Sequence, residues 1–527
     1  MASRRRISAG IFLLLAALYA LTAGGHTSSP DEEGILAQAR AMASGTWTIE
    51  IDETNDDVTS RREQGDGTYT GVSNLGPSVA ALPLLAVGSA VGNFVFADHR
   101  IVVENLFALF TNSAITAATG VVLFWVSLRL GAPRRRAVLL ALVFGAGTFA
   151  WPHARTLFSE PMAALFLLGA VGAAIATVQD DDVHAAIVCG LCLGAGMHAR
   201  TTSAIFVPIV FAYLMIETLR RRGFRTAVTT GLATGAPVLL GLGALLATNA
   251  LRFGSATDLG PPSIPFVFPI LEGMANLYFS SGKSLFLYAP VVAVAAAALP
   301  ITLRRRPAEA VLLLVIVLTH SLLFARFVAW HGDQAWGPRY LQVVLPCAVA
   351  LVAPALQASL RWARAVAVAG VVGALGPAAL GVLIFPNAYF QLGNATPELT
   401  GVIEANGARR YINAFHFDPY WSPLLGHARM VPTAVSNTVS RLGGPPEEVG
   451  PLPAVADGRY FWWDFLNQVD VWWLWIPSAR LTRWLWVLVP MFTAVGALGV
   501  RLLRAGLRDP PDRIEPPIER GPVLTGR

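Results

Sequence analysis

The chain has 527 residues, 54% of them hydrophobic and 14% charged, with a mean hydropathy of +0.55. That balance excludes a soluble globular enzyme and describes a polytopic membrane protein. The net charge of +6 excludes a nucleic-acid footprint, because the arginines sit in short clusters between apolar spans and Lys283 is the only lysine. Cys189, Cys192 and Cys347 all lie in apolar runs, so no disulfide framework follows.

Arg4-Arg5-Arg6 precedes the apolar run Ile7 to Ala23, which reads as a retained first span with a cytoplasmic N-terminus. Ser29-Pro30-Asp31-Glu32-Glu33 then opens an amphipathic helix that runs to about Ala43 and stops at Gly45. Ser29 and Glu32 have capping-box spacing, and Pro30 occupies the first helical position. Asp31 falls in the first turn at the membrane surface, where the helix dipole favours its ionised form. A carboxylate there either caps the helix or takes a proton from an acceptor. The alternation Trp47, Ile49, Ile51 is strand-like. The acidic loop Asp52 to Asp57 lacks the EF-hand glycine and reads as solvated.

Gly76 to Ala97 is long enough to span, but Gly76, Pro77, Pro83, Gly88 and Gly92 weaken it. Parity places it in the interface, because a span there would put Arg134-Arg135-Arg136 and the next two arginine triplets outside. The spans that follow are Ile101–Leu128, Ala137–Trp151, Met162–Val178, Ala185–Met197, Ala204–Ile216, Thr226–Ala250, Leu285–Leu303, Val311–Val328, Leu341–Leu356, Ala365–Phe385 and Trp484–Leu503. The expectation is an all-α protein of about twelve transmembrane helices, with two interfacial helices in the first outer loop, residues 24–100, and both termini cytoplasmic. Residues 1–385 would form the transmembrane module and 386–482 a small extracytoplasmic segment. Residues 483–503 would be the last span and 504–527 a Pro-rich cytoplasmic tail. Tyr460-Phe461-Trp462-Trp463 and Val471-Trp472-Trp473-Leu474-Trp475 read as headgroup anchors. The outer face then collects Asp31, Glu32, Arg155, Glu160, Arg200, Arg252, Lys283, Asp333 and Arg339. Carboxylates and cations at one membrane depth suit an anionic lipid headgroup and a hydroxyl to be activated.

Several runs, in order, resemble the GT-C glycosyltransferase superfamily, in its protein O-mannosyltransferase and lipid A aminoarabinose transferase branch (family 39-like). They are Pro30-Asp31-Glu32, then Gly76-Pro77-Ser78-Val79-Ala80-Ala81-Leu82-Pro83, then Gly147 to Thr156 with Ser159-Glu160-Pro161. Asn249-Ala250-Leu251-Arg252-Phe253-Gly254, Ser281-Gly282-Lys283-Ser284-Leu285 with Tyr288-Ala289-Pro290, and Trp336-Gly337-Pro338-Arg339-Tyr340 follow. The resemblance implies an inverting enzyme that uses a polyprenyl-phosphate sugar, with Asp31 matching the family's catalytic aspartate. Related enzymes often carry a lysine just before the second interfacial helix; here Val72 stands at that place.

On this reading Asp31 takes the proton of an acceptor hydroxyl, which attacks the anomeric carbon of the lipid-linked sugar at the outer leaflet. Glu32 stands beside it as a second candidate, and Glu160 orients the sugar or acts as a second acid. Arg339, Arg200, Lys283 and Arg155 are the candidate phosphate ligands. The partners would be the polyprenyl-phosphate sugar, a hydroxyl acceptor and membrane lipids, with no nucleic acid. Nothing in the sequence calls for a metal or other cofactor. The rival readings are a lipid-linked sugar flippase and a non-catalytic polyprenyl-phosphate binder.

Overall fold

In lipid, backbone groups have no water to bond, so apolar runs of this length close their hydrogen bonds within helices. The computed structural model describes residues 2–49, 61–63, 69–95, 100–260, 266–332, 335–386, 389, 415–443, 452–453, 460–461, 467–475 and 483–510. The first helices are α1 (Ala2–Leu21), α2 (Pro30–Ala43), α3 (Leu75–Val95), α4 (Arg100–Arg129), α5 (Arg134–Ala146), α6 (Ala150–His153) and α7 (Glu160–Asp180). Then come α8 (Val183–Ala199), α9 (Phe206–Arg222), α10 (Phe224–Phe253), α11 (Ile270–Phe279), α12 (Leu285–Tyr288), α13 (Pro290–Arg305) and α14 (Pro307–Ala325). α15 (Leu345–Ala350), α16 (Ala353–Ala358), α17 (Leu360–Gly373) and α18 (Ala379–Leu383) precede a surface helix, Pro423–Gly443, and the last helix, Leu488–Arg508. Among the described residues, 8 helices are long and apolar enough to cross a membrane. The protein is a multi-pass, mostly helical membrane protein.

Small sheets decorate one end. Strand β1 (Arg61–Glu63) pairs antiparallel with β2 (Tyr69–Gly71), and Ile49 bridges to Tyr69, where the sequence alternation ends. A second pair joins Leu452–Pro453 to Tyr460–Phe461. The acidic loop Asp52–Asp57, Asp333, Trp462-Trp463 and the tail beyond residue 510 lie outside the described residues.

Two expected spans are broken by proline. The run from Leu341 begins as a 3-10 turn over Arg339–Val343 and continues as α15 and α16, each opening on a proline, Pro346 and Pro354. Pro377 lacks the N–H for an α-helical bond, and the chain passes from α17 to α18 through a π-turn at Ala374–Ala378.

The arginine clusters gather at one end of the bundle. Arg6 pairs with Asp509 at 3.1 Å, and Arg134 reaches Ser3 Oγ at 2.7 Å and the Asp509 carbonyl at 2.6 Å. Arg129 pairs with Asp180 at 2.8 Å, Arg222 lies 3.8 Å from Asp181, and Arg305 donates to Gln357 at 3.1 Å. The opposite end holds α2, α3 and the 150–160 turn. Ser78 on α3 donates to the Ile35 carbonyl of α2 at 2.9 Å. Gly76 abuts the carbonyl of His198, at the end of α8, and Gly88 abuts Glu104 and Phe107 in the first turns of α4. By length and composition alone α3 also qualifies as a span.

The first and last helices pack along their whole length through small residues. A Cβ at Gly499 would stand 2.7 Å from the Leu14 backbone nitrogen, and one at Gly10 would stand 2.8 Å from the Gly499 carbonyl. Lipid supplies no hydrophobic drive between helices, so this close backbone approach holds the chain's two ends together. Gly499→Val should therefore separate them and cost roughly 1–3 kcal/mol, read as a lower melting temperature in detergent. Gly243→Val, where a Cβ meets nothing within 4 Å, should leave melting near wild type.

Candidate active site

Ser29 does not cap α2 through its side chain, although its backbone is extended as a cap requires. The carboxylate of Glu32 turns instead to the preceding residue, accepting from Ser28 N–H at 2.7 Å and from the Ser28 hydroxyl. Its other oxygen accepts the Leu157 N–H at 2.6 Å. Glu32 is fully buried, and burial raises its pKa against these hydrogen bonds. It therefore rivets the first turn of α2 to the 154–158 turn. The carboxylate left facing outward is that of Asp31, whose side chain is 52% exposed.

Three further elements bring charges to Asp31. Ser159-Glu160-Pro161 starts α7, with the proline at a first-turn position, and puts Glu160 in the interior at 0% exposure. Arg200 ends α8 in an extended conformation and turns back into the bundle. Gly337 has φ +65°, and a Cβ there would strike the Tyr288 ring, so Trp336-Gly337-Pro338 makes a tight turn that points Arg339 inward. Arg339 Nη2 donates to Asp31 at 2.7 Å and its Nε donates to Glu160 Oε1 at 2.9 Å. Arg200 Nη1 donates to the same Glu160 oxygen at 2.7 Å and to Ser159 Oγ at 3.1 Å.

Aromatic faces hold both guanidiniums. Arg339 lies 3.7 Å over the Phe158 ring, and Arg200 lies 5.1 Å from the Tyr340 ring, itself stacked on Phe324. Burial works against the charge on Arg339, but Glu160 and Asp31 outweigh it and hold its pKa above the ordinary value. Beside this cluster opens a cavity of about 240 Å³, lined by Ser28 to Asp31, Pro152, His153, Thr156, Phe158, Gly332, Ala335, Trp336, Arg339 and Pro386.

Of the residues singled out from the sequence, Asp31, Glu160, Arg200 and Arg339 form this one cluster. Lys283 is fully buried and donates to the Ala335 carbonyl at 2.5 Å, behind the cavity wall. Arg155 points away, to the Val382 carbonyl and to Asp470, whose Oδ2 it meets at 2.6 Å. Arg252 reaches the carbonyls of Gly71 and Ser73, the latter at 2.9 Å, and so clamps the backbone on either side of Val72.

Sequence reasoning missed Asp470. Its Oδ1 lies 2.7 Å from His26 Nε2, and its N–H donates to the Leu383 carbonyl at 2.9 Å. Beyond it the indole N–H groups of Trp472, Trp473 and Trp475 donate to the carbonyls of Ala20, Leu21 and Gly24 at 2.7, 2.7 and 2.8 Å. These tryptophans satisfy the open carbonyls at and beyond the end of α1, and Trp472 is fully buried there. The headgroup-anchor reading of this cluster is corrected accordingly. The signal was available in three tryptophans that follow an acidic residue within five positions, but nothing local says which carbonyls they meet.

The fold and the ion cluster define a multi-pass membrane protein with paired carboxylates and guanidiniums at one end of a helical bundle. Residues 95–240, less than a third of the chain, match the family model described as dolichyl-phosphate-mannose-protein mannosyltransferase. The chain is also similar to the crystal structure of ArnT from Cupriavidus metallidurans bound to undecaprenyl phosphate. The identity is 14% and the TM-score 0.42, over 95% of this chain and 76% of that one. At that degree of likeness we argue the site from this chain's own residues. The comparison with curated proteins gave no match.

Burial would raise the pKa of Asp470, but Arg155 and His26 outweigh it and hold the carboxyl below the ordinary range. Its contribution to stability is therefore complete above the unfolded value of about 3.9 and is lost as pH falls through the depressed one. Asp470→Asn should lower stability near neutral pH by roughly 3 kcal/mol, because it leaves Arg155 buried without its counter-charge. The gap from wild type should close at acid pH, as followed by melting at a series of pH values.

Proposed function

We propose that the protein is an inverting glycosyltransferase that moves a sugar from a polyprenyl-phosphate carrier to an acceptor hydroxyl at the outer face of the membrane. The observation that carries this reading is Asp31. It is a half-exposed carboxylate in the first turn of α2, at a cavity, tied at 2.7 Å to an otherwise buried arginine. The family-model match over residues 95–240 supports the reaction class. The arginine clusters lie at the far end of the bundle, which by the positive-inside rule supports an outward cavity and cytoplasmic termini. The lodging of α3 against α2 and the outer turns of α4 supports an interfacial helix and about twelve spans.

The ion cluster is balanced before any donor arrives: two carboxylates, Asp31 and Glu160, face two guanidiniums, Arg339 and Arg200. A donor phosphate takes the Arg339 Nη2 hydrogen bond from Asp31, while the Glu160 bond keeps the guanidinium in place. Asp31 is then free to accept the acceptor's hydroxyl proton. The acceptor oxygen attacks the anomeric carbon from the face opposite the phosphate, and the carbon–oxygen bond to phosphate breaks. The electron pair leaves on polyprenyl phosphate, whose charge Arg339 and Arg200 stabilise. Glu32, enclosed between Ser28 and Leu157, positions Asp31 and takes no proton. Lys283 and Arg155 shape the walls; neither lines the cavity.

Against a transporter stands the placement of Glu104 and His320, which fall within expected spans. Glu104 pairs with Arg100 at 2.6 Å and Arg40 at 3.3 Å, and His320 bonds the Tyr340 carbonyl at 2.9 Å. Both belong to the end of the bundle that holds the cluster, whereas transport sites lie near the midplane.

Asp31→Asn should cut transfer from radiolabelled polyprenyl-phosphate sugars by about two to four orders of magnitude with expression unchanged. Turnover near wild type would leave Asp31 a surface partner of Arg339. Efficient transfer from a sugar nucleotide in a lipid-free assay would remove the donor class.

Arg339→Lys keeps the charge but not the two divergent N–H groups that hold Asp31 and Glu160 together. Activity should fall by about 1.5–3 kcal/mol in kcat/KM, more than for Arg361→Lys at the opposite end of the bundle. Equal and small effects at the two positions would assign the phosphate elsewhere.

A further inference from the structure

Several polar atoms at the cavity are buried with no hydrogen-bond partner among the described residues: Ser29 Oγ, His153 Nδ1, Glu160 Oε2 and Arg200 Nε. The last two belong to the ion cluster, but His153 does not. It lines the cavity from α6, is 1% exposed, and is wedged between Phe149 and Phe158, each 5.9 Å away between ring centres. Its Nε2 lies 2.9 Å from the Trp336 carbonyl, which can only accept, so Nε2 carries the hydrogen. Burial pushes the pKa down to about 4, which keeps the ring neutral at physiological pH. Nδ1 is therefore a bare lone pair, a buried acceptor whose lost hydration nothing among the described residues replaces.

We infer that His153 is a specificity-determining residue whose Nδ1 accepts a hydrogen bond from a hydroxyl of the donor sugar. The inference rests on the proposed function and deepens it. A cavity of about 240 Å³ is smaller than the ~300–1,000 Å³ of drug-sized pockets and takes a single ring. Ser29 Oγ offers a second hydroxyl partner on the same cavity, two residues from Asp31.

The test uses the purified full-length protein with undecaprenyl phosphate, a panel of undecaprenyl-phosphate hexoses, and singly deoxygenated analogues of the best one. His153→Gln retains an amide donor for the Trp336 carbonyl and takes the acceptor away from the Nδ1 position, whereas His153→Asn places an amide oxygen near that position. His153→Gln should raise the donor KM about 10-fold and leave the Kd for sugar-free undecaprenyl phosphate unchanged. One deoxy analogue should lose about 10-fold with wild type and nothing further with His153→Gln, and His153→Asn should recover part of the loss. A wild-type KM in His153→Gln, or an equal loss of sugar-free undecaprenyl phosphate, overturns the inference alone. Failure of the wild type to transfer any of the hexoses while binding undecaprenyl phosphate overturns the proposed function, and this inference with it.

Discussion

The end of the bundle that holds the cavity depends on one guanidinium serving two carboxylates. Arg339 holds Glu160, which is wholly buried, and Asp31, which is not. Without the arginine the Glu160 charge would sit in the interior with Arg200 alone, and α2 would lose its bond to the 336–340 turn. The aromatic face of Phe158 beneath it and the tight turn at Gly337 keep the guanidinium from following solvent outward. In the proposed function, this stiff cation between a fixed carboxylate and an exchangeable one is what receives the donor's anion. The exchangeable partner can be displaced while the fixed one preserves geometry.

The surrounding structure is arranged so that only Asp31 is exchangeable. Three neighbouring acids on α2 begin with equal chemistry, and their environments separate them. Glu32 is consumed by Ser28 and Leu157, Glu33 receives the Thr27 hydroxyl at 3.3 Å, and Asp31 faces the cavity. The same sorting applies to the cations: Arg155 is committed to Asp470, Arg252 to the backbone around Val72, and Lys283 to the Ala335 carbonyl.

This sorting marks the limit of what the sequence disclosed. The helical character, the gathering of arginines at one end and the grouping of Asp31, Glu160, Arg200 and Arg339 follow from apolar run lengths, charge parity and proline-glycine turns, all local or additive signals. What stayed hidden was pairing across long separations. Capping-box spacing located the start of α2, but the Glu32 carboxylate found its partner 125 residues away. Arg155 looked like an outer cation because Asp470 lies 315 residues downstream and carries no motif. The tryptophans near residue 473 have the composition of lipid anchors, and only the open carbonyls of a distant helix end show that they bind protein.

The zipper formed by residues 467–475 along the end of α1 also fixes an order of events. Asp470 ties down His26, Arg155 and Leu383, the residues from which the cavity walls at 28–31, 152–158 and 386 emerge. During synthesis the first helix enters the membrane with its terminal carbonyls unmatched, and their partners arrive only after some 450 further residues have been made. Such distant closure is slow and comes late in assembly. The cavity is therefore completed only as the chain nears its end, and a prematurely terminated product would lack the partners for that end of α1.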